Sequence, residues 1–241
     1  MKAVLMSIKP LFDFKIAKKD KIWEIRKNKP TLSPPFKVYF YCTKQKERFA
    51  VSAGNYVFTD NLYLDGNVLT YGTDFKSLLT PTVHFNGKVI GEFVCDRIEE
   101  WDSEYWNDNS VYQAISRIDY DDEGDYEWVN ISSNEDDNPS DNYLCKESCL
   151  SFEEIQRYAG NGRFYAWHIS DLVIYDKPKE LSEFFREGDC EGGLKCKTCP
   201  YFEKGNEAAG LEDDCIAPFD TTKRIPITRP PQSWCYVEDS E

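Results

Sequence analysis

The chain lacks any apolar run that approaches the roughly 18 residues needed to cross a bilayer. Its N-terminal apolar stretch, residues 3–8, is too short for the hydrophobic region of a secretory signal, and no small-residue cleavage site follows it. No internal repeat is apparent. Hydrophobic residues make up 41% and aromatic residues 15% of the chain, which is enough for a packed core. We therefore expect a soluble, cytoplasmic, globular protein without a membrane partner.

The charge is unevenly distributed along the chain. The net charge is −14, yet residues 1–60 contain thirteen lysines or arginines against five acids. Residues 99–146 contain fifteen acids against two bases. A local basic surface can attract phosphate in an acidic protein, because salt screens charges beyond about 10 Å. Nucleic acid therefore remains a candidate partner, and the acidic tract is interpreted as a solvated insertion or, alternatively, as a mimic of nucleic acid.

The N-terminal part predicts strands with a single helix between them. Residues 3–8 and 38–42 are β-forming, and residues 21–26 are interpreted as a further strand. Pro10 fits the first turn of a helix that continues to about Ala17.

Further along, the sequence of residues 86–98 predicts a long strand, which starts with an Asn-Gly turn. Gly91 within it indicates a bulge or a close approach of two backbones. A capped helix over 151–160 and a core strand over 164–174 follow. Because strands and helices do not alternate regularly as in βαβ units, this order of elements predicts an α+β, mainly β fold. We expect a small mixed or antiparallel barrel with short flanking helices.

The domain organisation follows from these elements and from composition. We expect one barrel domain over residues 1–178, with insertions at about 43–80 and 99–146. A cysteine-rich appendage over residues 179–241 completes the chain.

Three charged residues, Lys21, Glu24 and Arg26, lie close together at the junction of the first helix and the second strand. Strand alternation puts Glu24 and Arg26 on one face and Lys21 on the other, so Lys21 can join them only from the end of the strand. Arg26 suits a phosphate or carboxylate, and Glu24 can accept a hydrogen bond from a base amino group. The alternative is a surface ladder of ion pairs.

These residues resemble the Gly-x-Lys-x-x-Glu-x-Arg motif of the ASCH family, within the PUA-like superfamily, with Lys19 where glycine is usual. The similarity covers about residues 1–45, 81–98 and 149–178. The chain especially resembles larger ASCH-like proteins of phages and prophages, which share the ending Pro-Pro-Gln-Ser-Trp-Cys-Tyr-Val at 230–237.

The resemblance implies a PUA-like β-barrel with a cleft for RNA or a modified nucleoside. It also implies a second activity, because some small members remove the acetyl group from N4-acetylcytidine with a lysine, a threonine and a glutamate. The lysine matches Lys21 and the glutamate matches Glu154, while Glu24 occupies the threonine position. A carboxylate there supplies no hydroxyl but can order a water molecule.

Other candidate residues have a structural alternative. Trp23, Tyr165 and Trp167 can stack on a base, but barrel cores also contain many aromatic side chains. Glu154 follows Ser151 at the spacing of a capping box, in which it would bind the backbone of its own helix.

The tail carries a candidate metal site. Cys196 and Cys199 are two residues apart in the chain, and Cys190 and Cys215 can complete a set of four thiolates. Zinc in a structural role is the first choice and an iron–sulfur cluster the alternative. Unrelated free thiols remain possible, since only one Cys-x2-Cys pair is present.

Three hypotheses follow. The first is an RNA-binding or nucleoside-binding domain that uses Lys21, Glu24 and Arg26. The second is an amidohydrolase acting on an acylated pyrimidine nucleoside, with Lys21 and Glu154 in acid and base roles. The third is a phage-encoded interaction protein whose acidic insertion, residues 99–146, binds a basic host partner.

Overall fold

A computed structural model gives the fold. The residues that it describes are 2–52, 54–59, 62–65, 68–71, 76–78, 82–107, 111–120, 124–130, 143–187, 202–203, 214–215 and 224–239.

Strands dominate the described part of the chain, and we number them in chain order. They are β1 (Lys2–Ile8), β2 (Trp23–Arg26), β3 (Phe36–Cys42), β4 (Arg48–Ser52), β5 (Asn55–Thr59), β6 (Leu62–Asp65), β7 (Val68–Tyr71), β8 (Lys76–Leu78), β9 (Thr82–His84), β10 (Val89–Cys95), β11 (Ile98–Asn107), β12 (Val111–Tyr120), β13 (Tyr126–Asn130), β14 (Gly162–His168), β15 (Ser170–Lys179), β16 (Phe185–Glu187), β17 (Phe202–Glu203), β18 (Asp214–Cys215), β19 (Arg224–Pro226) and β20 (Trp234–Glu238). The helices are α1 (Pro10–Ala17), α2 (Tyr143–Ser148) and α3 (Phe152–Ala159), with a 3₁₀ turn at Leu181–Glu183. The α+β, mainly β class predicted from the sequence is confirmed.

Two five-stranded sheets form the body of the protein. The first has the order β15-β10-β3-β1-β20, in which β1 and β3 are parallel and the other neighbours are antiparallel. The second has the order β13-β12-β11-β14-β2 and is antiparallel throughout. The central strands β1 and β3 are buried along almost their whole length, as their continuous apolar sequences require.

The chain passes directly from one sheet to the other at two corners. Strand β10 ends at Cys95 and β11 begins at Ile98, while β14 ends at His168 and β15 begins at Ser170. The backbone N–H of His168 donates to the carbonyl of Arg97 at 3.0 Å, which holds the two corners together. Trp167 of β14 packs in the same core as Val38 and Phe40 of β3, so the two sheets share part of their core.

Gly91 has the role expected from its position in β10. The pairing of β10 shifts register between Val89 and Gly91, which marks a bulge. A Cβ atom at Gly91 would lie 2.3 Å from the carbonyl oxygen of Val173 and 2.9 Å from the ring of Phe40. Only glycine permits this close approach of neighbouring strands.

Much of the predicted acidic insertion continues the second sheet. Strands β11 and β12 pair over Glu100–Asn107 and Val111–Ile118, and Trp101 is completely buried. Burial of Trp101 and Ile115 gives this acidic sequence an apolar face that favours strands. The predicted domain boundaries stay predictions.

The turn after α1 positions the charged cluster. The helix begins at Pro10 and ends at Ala17, as predicted, and Lys18 caps it with its backbone N–H. Lys19 then adopts a left-handed conformation, with φ of 63°. A lysine adopts this conformation at a steric cost that glycine does not have.

Candidate functional site

Lys21, Glu24 and Arg26 converge in the structure. Strand β2 begins at Trp23, so Lys21 lies before the strand. The alternation of side chains between the two faces of a strand therefore does not apply to Lys21. Its Nζ lies 3.2 Å from Oε2 of Glu24, and Nη2 of Arg26 lies 2.9 Å from Oε1 of the same carboxylate. The three side chains thus form one chain of ion pairs centred on Glu24. We call these three residues the floor.

The floor is almost closed to solvent. Relative exposure is 2% for Lys21 and 7% for both Glu24 and Arg26. Burial lowers the pKa of Lys21, and the ion pair with Glu24 opposes that shift. Charges so deeply buried are costly unless each one is paired, which the carboxylate between two cations achieves.

Backbone carbonyl groups hold the two cations in place. Nζ of Lys21 donates to the carbonyl oxygens of Trp23 and Ser148, each at 2.7 Å. Nη2 of Arg26 donates to the carbonyl oxygen of Ser7 at 2.8 Å. The floor is therefore tied to β1, β2 and α2, so its geometry is fixed by the fold.

A cavity of about 740 Å³ opens above the floor. Its walls come from the ends of β1 and β3, the start of α1, helix α3 and residues 230–233. Lys21, Glu24, Arg26 and Glu154 all line it. Cavities of about 300–1,000 Å³ are typical of sites for small organic ligands. The residues that the sequence motif predicts as a cleft therefore do share one concave surface.

Glu154 has two roles in this arrangement. The backbone N–H of Ser151 donates to its Oε2 at 2.8 Å, and its own backbone N–H donates to Oγ of Ser151 at 3.2 Å. The predicted capping box is thus present, and Glu154 also faces the cavity.

Two of the three residues predicted to stack on a base do not have free ring faces in the structure. Trp23 and Trp167 are buried in the two sheet cores, so neither presents a free ring face in this structure. Tyr165 is partly buried, and Nζ of Lys29 lies 5.1 Å from the centre of its ring. Trp23 and Trp167 are therefore core residues, as the structural alternative to base stacking predicts.

Helix α3 provides residues that the sequence analysis missed. Arg157 and Tyr158 line the cavity and are exposed, Tyr158 by 38%. They follow Glu154 by three and four residues, so all three share one helix face. That spacing is a signal available in the sequence. We call Glu154, Arg157 and Tyr158 the rim.

The C-terminal segment supplies another missed wall. The backbone N–H of Ser7 donates to the carbonyl oxygen of Ser233 at 2.9 Å, and Oγ of Ser7 donates to that of Pro231 at 2.7 Å. These bonds continue the antiparallel pairing of β1 with β20 and hold residues 230–233 beside the cavity. Residues 230–233 therefore contribute to the site.

Asp13 is a further buried acid close to the floor. It lies on α1 and is completely shielded from solvent. Burial raises the pKa of Asp13 well above its usual value; the Cys42 thiol opposes the shift and Glu24 adds to it. Burial therefore favours the uncharged form of the Asp13 side chain.

The predicted metal site falls largely outside the described residues. Cys190, Cys196 and Cys199 lie there, and for Cys215 the structure gives only the backbone of β18. Among the residues whose side chains are described, no three histidine, cysteine or acidic residues form a metal-binding group. Zinc or an iron–sulfur cluster in the tail stays a prediction, which elemental analysis and an absorption spectrum of the anaerobically purified protein would test.

None of the helices described is long and apolar enough to span a membrane. The predicted host partner of residues 99–146 stays a prediction, and residues 108–110, 121–123 and 131–142 of that segment lie outside the described part of the chain.

Comparison with known proteins gives few matches. No family model and no curated protein matches the chain. Among solved structures, it is similar to ASCH from Zymomonas mobilis, with 13% identity, 74% of this chain and 73% of the other covered, and a TM-score of 0.39. A point mutant of the same protein gives 14% identity, coverage of 75% and 77%, and a TM-score of 0.38. Both TM-scores lie below 0.5, so these similarities show neither a family nor a function for this chain.

Proposed function

We propose that the cavity above Lys21, Glu24 and Arg26 binds RNA or a modified nucleoside. The observation that carries this proposal is the buried carboxylate held between two cations at the base of a cavity of about 740 Å³. Buried ion pairs add little to stability compared with apolar side chains of similar size. A contribution to stability is therefore a weak explanation for the presence of this charged cluster.

The chemistry of the floor suits a nucleobase edge. The carboxylate of Glu24 accepts hydrogen bonds only, as the amino group of cytosine requires. The guanidinium of Arg26 donates several, which suits a base carbonyl or ring nitrogen beside that amino group. Because the ion pairs and backbone contacts fix both groups before a ligand arrives, little ordering cost remains on binding.

The rim suits the rest of a nucleotide. The ring of Tyr158 is 38% exposed, with Nζ of Lys27 5.5 Å from its centre, and base stacking on an aromatic ring is worth roughly 1–3 kcal/mol. Arg157 on the same helix face can bind a phosphate with two parallel hydrogen bonds. A base on the floor and a phosphate at the rim would together occupy the cavity.

A ligand screen tests the proposal. We expect nucleosides, nucleoside monophosphates and short RNAs to raise the melting temperature of the wild-type protein, with cytidine derivatives among those that bind. Arg26→Gln is expected to weaken binding by about tenfold or more, because it removes a charged donor. Arg163→Gln is the matched control, since Arg163 is exposed on the neighbouring strand β14 and pairs with Glu100 away from the cavity. No shift with any of these ligands would contradict the proposal.

A second candidate, hydrolysis of an acylated cytidine, has one observation in its favour. Burial lowers the pKa of Lys21, which moves its amine toward the neutral form that a general base requires. Three acceptors surround its Nζ, however, and they favour the ammonium form. The geometry therefore supports Lys21 as an anchor of the site first and as a base second.

Incubation with N4-acetylcytidine separates the two candidates. Hydrolysis would break the amide C–N bond, add water across it, and release cytidine and acetate. Chromatography that shows cytidine from wild type but none from Lys21→Met would favour the enzyme. Binding of N4-acetylcytidine without release of cytidine would favour a binding protein.

A further inference from the structure

A second cavity lies on the other face of the first sheet. It measures about 600 Å³, and its lining includes Tyr41 and Ile227, which belong to the core on one face of β1 and β3. The first cavity is lined by Ile8, whose side chain belongs to the core on the opposite face. The two linings share only Thr43 and Pro230, so the second cavity is a separate candidate site.

Tyr41 brings a buried hydroxyl group to this cavity. The residue is only 2% exposed, and its phenol forms no hydrogen bond within the part of the chain that the structure describes. Burial raises the pKa of Tyr41, and the Cys42 thiol and the Glu180 carboxylate add to the rise. The phenol therefore keeps its proton and can donate as well as accept a hydrogen bond. Because buried polar groups nearly always have a partner, the unpaired hydroxyl indicates a polar group of a ligand in the cavity.

Lys44 supplies a cation at the same cavity. Its side chain lies against Gly87, where a Cβ atom would be 2.6 Å from Cε and 3.1 Å from Cγ of the lysine. Gly87 has φ of 85°, so glycine permits both the turn and the space that the lysine occupies. Lys44 is exposed and forms no ion pair within the described ranges, so its ammonium group is available to an anion.

Glu180, the acid in the lining, is already engaged. It is paired with Lys88, and its side chain accepts from the backbone N–H of Glu183 at the start of the 3₁₀ turn. The other lining residues include two with hydroxyl groups and three that are apolar: Ser182, Thr228, Leu181, Ile227 and Pro230. Among the described charged residues of the lining, Lys44 is therefore the one without a counter-ion.

These groups select the charge and size of a ligand. The ammonium group of Lys44 suits an anion, whereas a dianion such as a phosphate monoester would be repelled more strongly by the Glu180 carboxylate in the same lining. A carboxylate carries a single charge and reduces that repulsion. The apolar side chains suit a hydrocarbon body, and the Tyr41 hydroxyl suits a second polar group. A cavity of about 600 Å³ has the size of sites for small organic molecules.

We propose that the second cavity binds a small organic monocarboxylate that carries a hydroxyl group. The carboxylate pairs with Lys44, the hydroxyl group bonds to that of Tyr41, and the hydrocarbon part contacts Ile227 and Pro230. The site goes beyond the nucleotide site proposed above, because it lies on the other face of the sheet and takes a ligand of a different chemical class.

Ligand-observed NMR titration of the full chain tests the site with glycolate, 4-hydroxybutyrate and 4-hydroxyphenylacetate. These acids keep both polar groups and vary the distance between them. We expect at least one to bind, and its uncharged amide to bind at least about tenfold more weakly, because the ion pair is lost. Lys44→Gln is expected to weaken binding of the acid by about tenfold for the same reason. Lys177→Gln is the matched control, since Lys177 is exposed and lines neither cavity.

Tyr41→Phe tests the buried hydroxyl. It is expected to weaken binding of the acid about threefold to tenfold, because one hydrogen bond is lost. Without ligand, thermal unfolding should show no loss of stability, since the hydroxyl has no partner in the described part of the protein. A lower melting temperature of the free variant would count against the site, because it would show that the hydroxyl is bonded within the chain.

The remaining outcomes separate this site from the nucleotide site. No binding of any of the three acids, or equal affinity in wild type, Lys44→Gln and Tyr41→Phe, would overturn the second site. Cytidine 5′-monophosphate should bind to wild type and to both variants with equal affinity. If a hydroxy acid binds but the nucleotide does not, the proposed function is overturned and the second site stands.

Discussion

The floor and the rim of the first cavity differ in how their charges are held. Lys21, Glu24 and Arg26 are nearly without solvent contact, and each is tied to another charge or to a backbone carbonyl. The rim residues Arg157 and Tyr158 are exposed on one face of α3. Floor geometry is thus a product of folding, whereas the rim can adjust to a ligand. Changes in the floor should therefore alter stability and binding together, and changes at the exposed rim residues Arg157 and Tyr158 should alter binding more than stability.

The largest effect is expected from Glu24→Ala. The substitution leaves Lys21 and Arg26 buried without their shared counter-ion, and loss of one partner from a buried pair costs about 3–5 kcal/mol. Urea unfolding measures this cost, and titration with cytidine 5′-monophosphate measures the expected loss of binding. Glu104→Ala is the control, because Glu104 is exposed on β11 and its removal should change stability by at most about 0.5 kcal/mol. A loss below about 1 kcal/mol in Glu24→Ala would show that the floor is not a buried network.

Asp13→Asn tests the buried acid beside the floor. Because burial raises the pKa of Asp13 in the folded protein, the folded state binds this proton more readily than the unfolded chain does. The contribution of Asp13 to the free energy of unfolding is therefore largest below about pH 4, the pKa of an unfolded aspartate. It falls as the pH rises toward the pKa of Asp13 in the folded state. Asparagine does not titrate, so the variant should gain stability relative to wild type between pH 4 and 8.

Urea unfolding at several pH values checks the Asp13 prediction. The exposed carboxyl of Asp20 provides the matched change, Asp20→Asn. A stability difference between Asp13→Asn and wild type that stays constant from pH 4 to 8 would mean that Asp13 is not buried as the structure has it.

Tyr158→Ala tests the rim. Loss of the ring should weaken nucleotide binding by roughly 1–3 kcal/mol, because a stacking surface is removed. Tyr158→Phe should change stability by no more than about 0.5 kcal/mol, whereas Tyr158→Ala also removes the packing of a ring that is only 38% exposed. Calorimetric titration and thermal unfolding measure the two quantities, and Tyr158→Phe should retain affinity. Equal losses of affinity in Tyr158→Phe and Tyr158→Ala would argue against stacking.

The smallest effect is expected at the turn that leads to the floor. Lys19 has φ of 63°, so Lys19→Gly should stabilise the protein by about 0.5–1 kcal/mol. Lys18 has φ of −80°, and Lys18→Gly should destabilise it slightly, because glycine there only adds freedom to the unfolded chain. Urea unfolding of both variants gives the two signs. The same sign in both would contradict the left-handed turn.

The sequence predicted the local elements of the site well. The bounds of α1, the capping box at Ser151 and the close approach at Gly91 follow from short-range patterns, and all three are present. Lys21 was expected to join Glu24 only from the end of the strand, and it does so because β2 begins two residues later, at Trp23.

Contacts between residues far apart in the chain could not be predicted from the sequence. The carbonyl of Ser148 that accepts from Lys21 lies 127 residues away, and the wall at 230–233 meets β1 only through sheet pairing. Trp23 lies between Ile22 and Glu24, and Trp167 between Ala166 and His168, so strand alternation alone cannot show which face is covered by another sheet. The rim could have been found, since Glu154, Arg157 and Tyr158 have helical spacing.

A crystal structure of the protein with cytidine 5′-monophosphate tests the central claim most directly. The account predicts the base inside the first cavity, with its amino group within hydrogen-bond distance of the Glu24 carboxylate and the guanidinium of Arg26 beside the ring. A nucleotide bound elsewhere on the protein, with the Lys21, Glu24 and Arg26 cluster untouched, would contradict it.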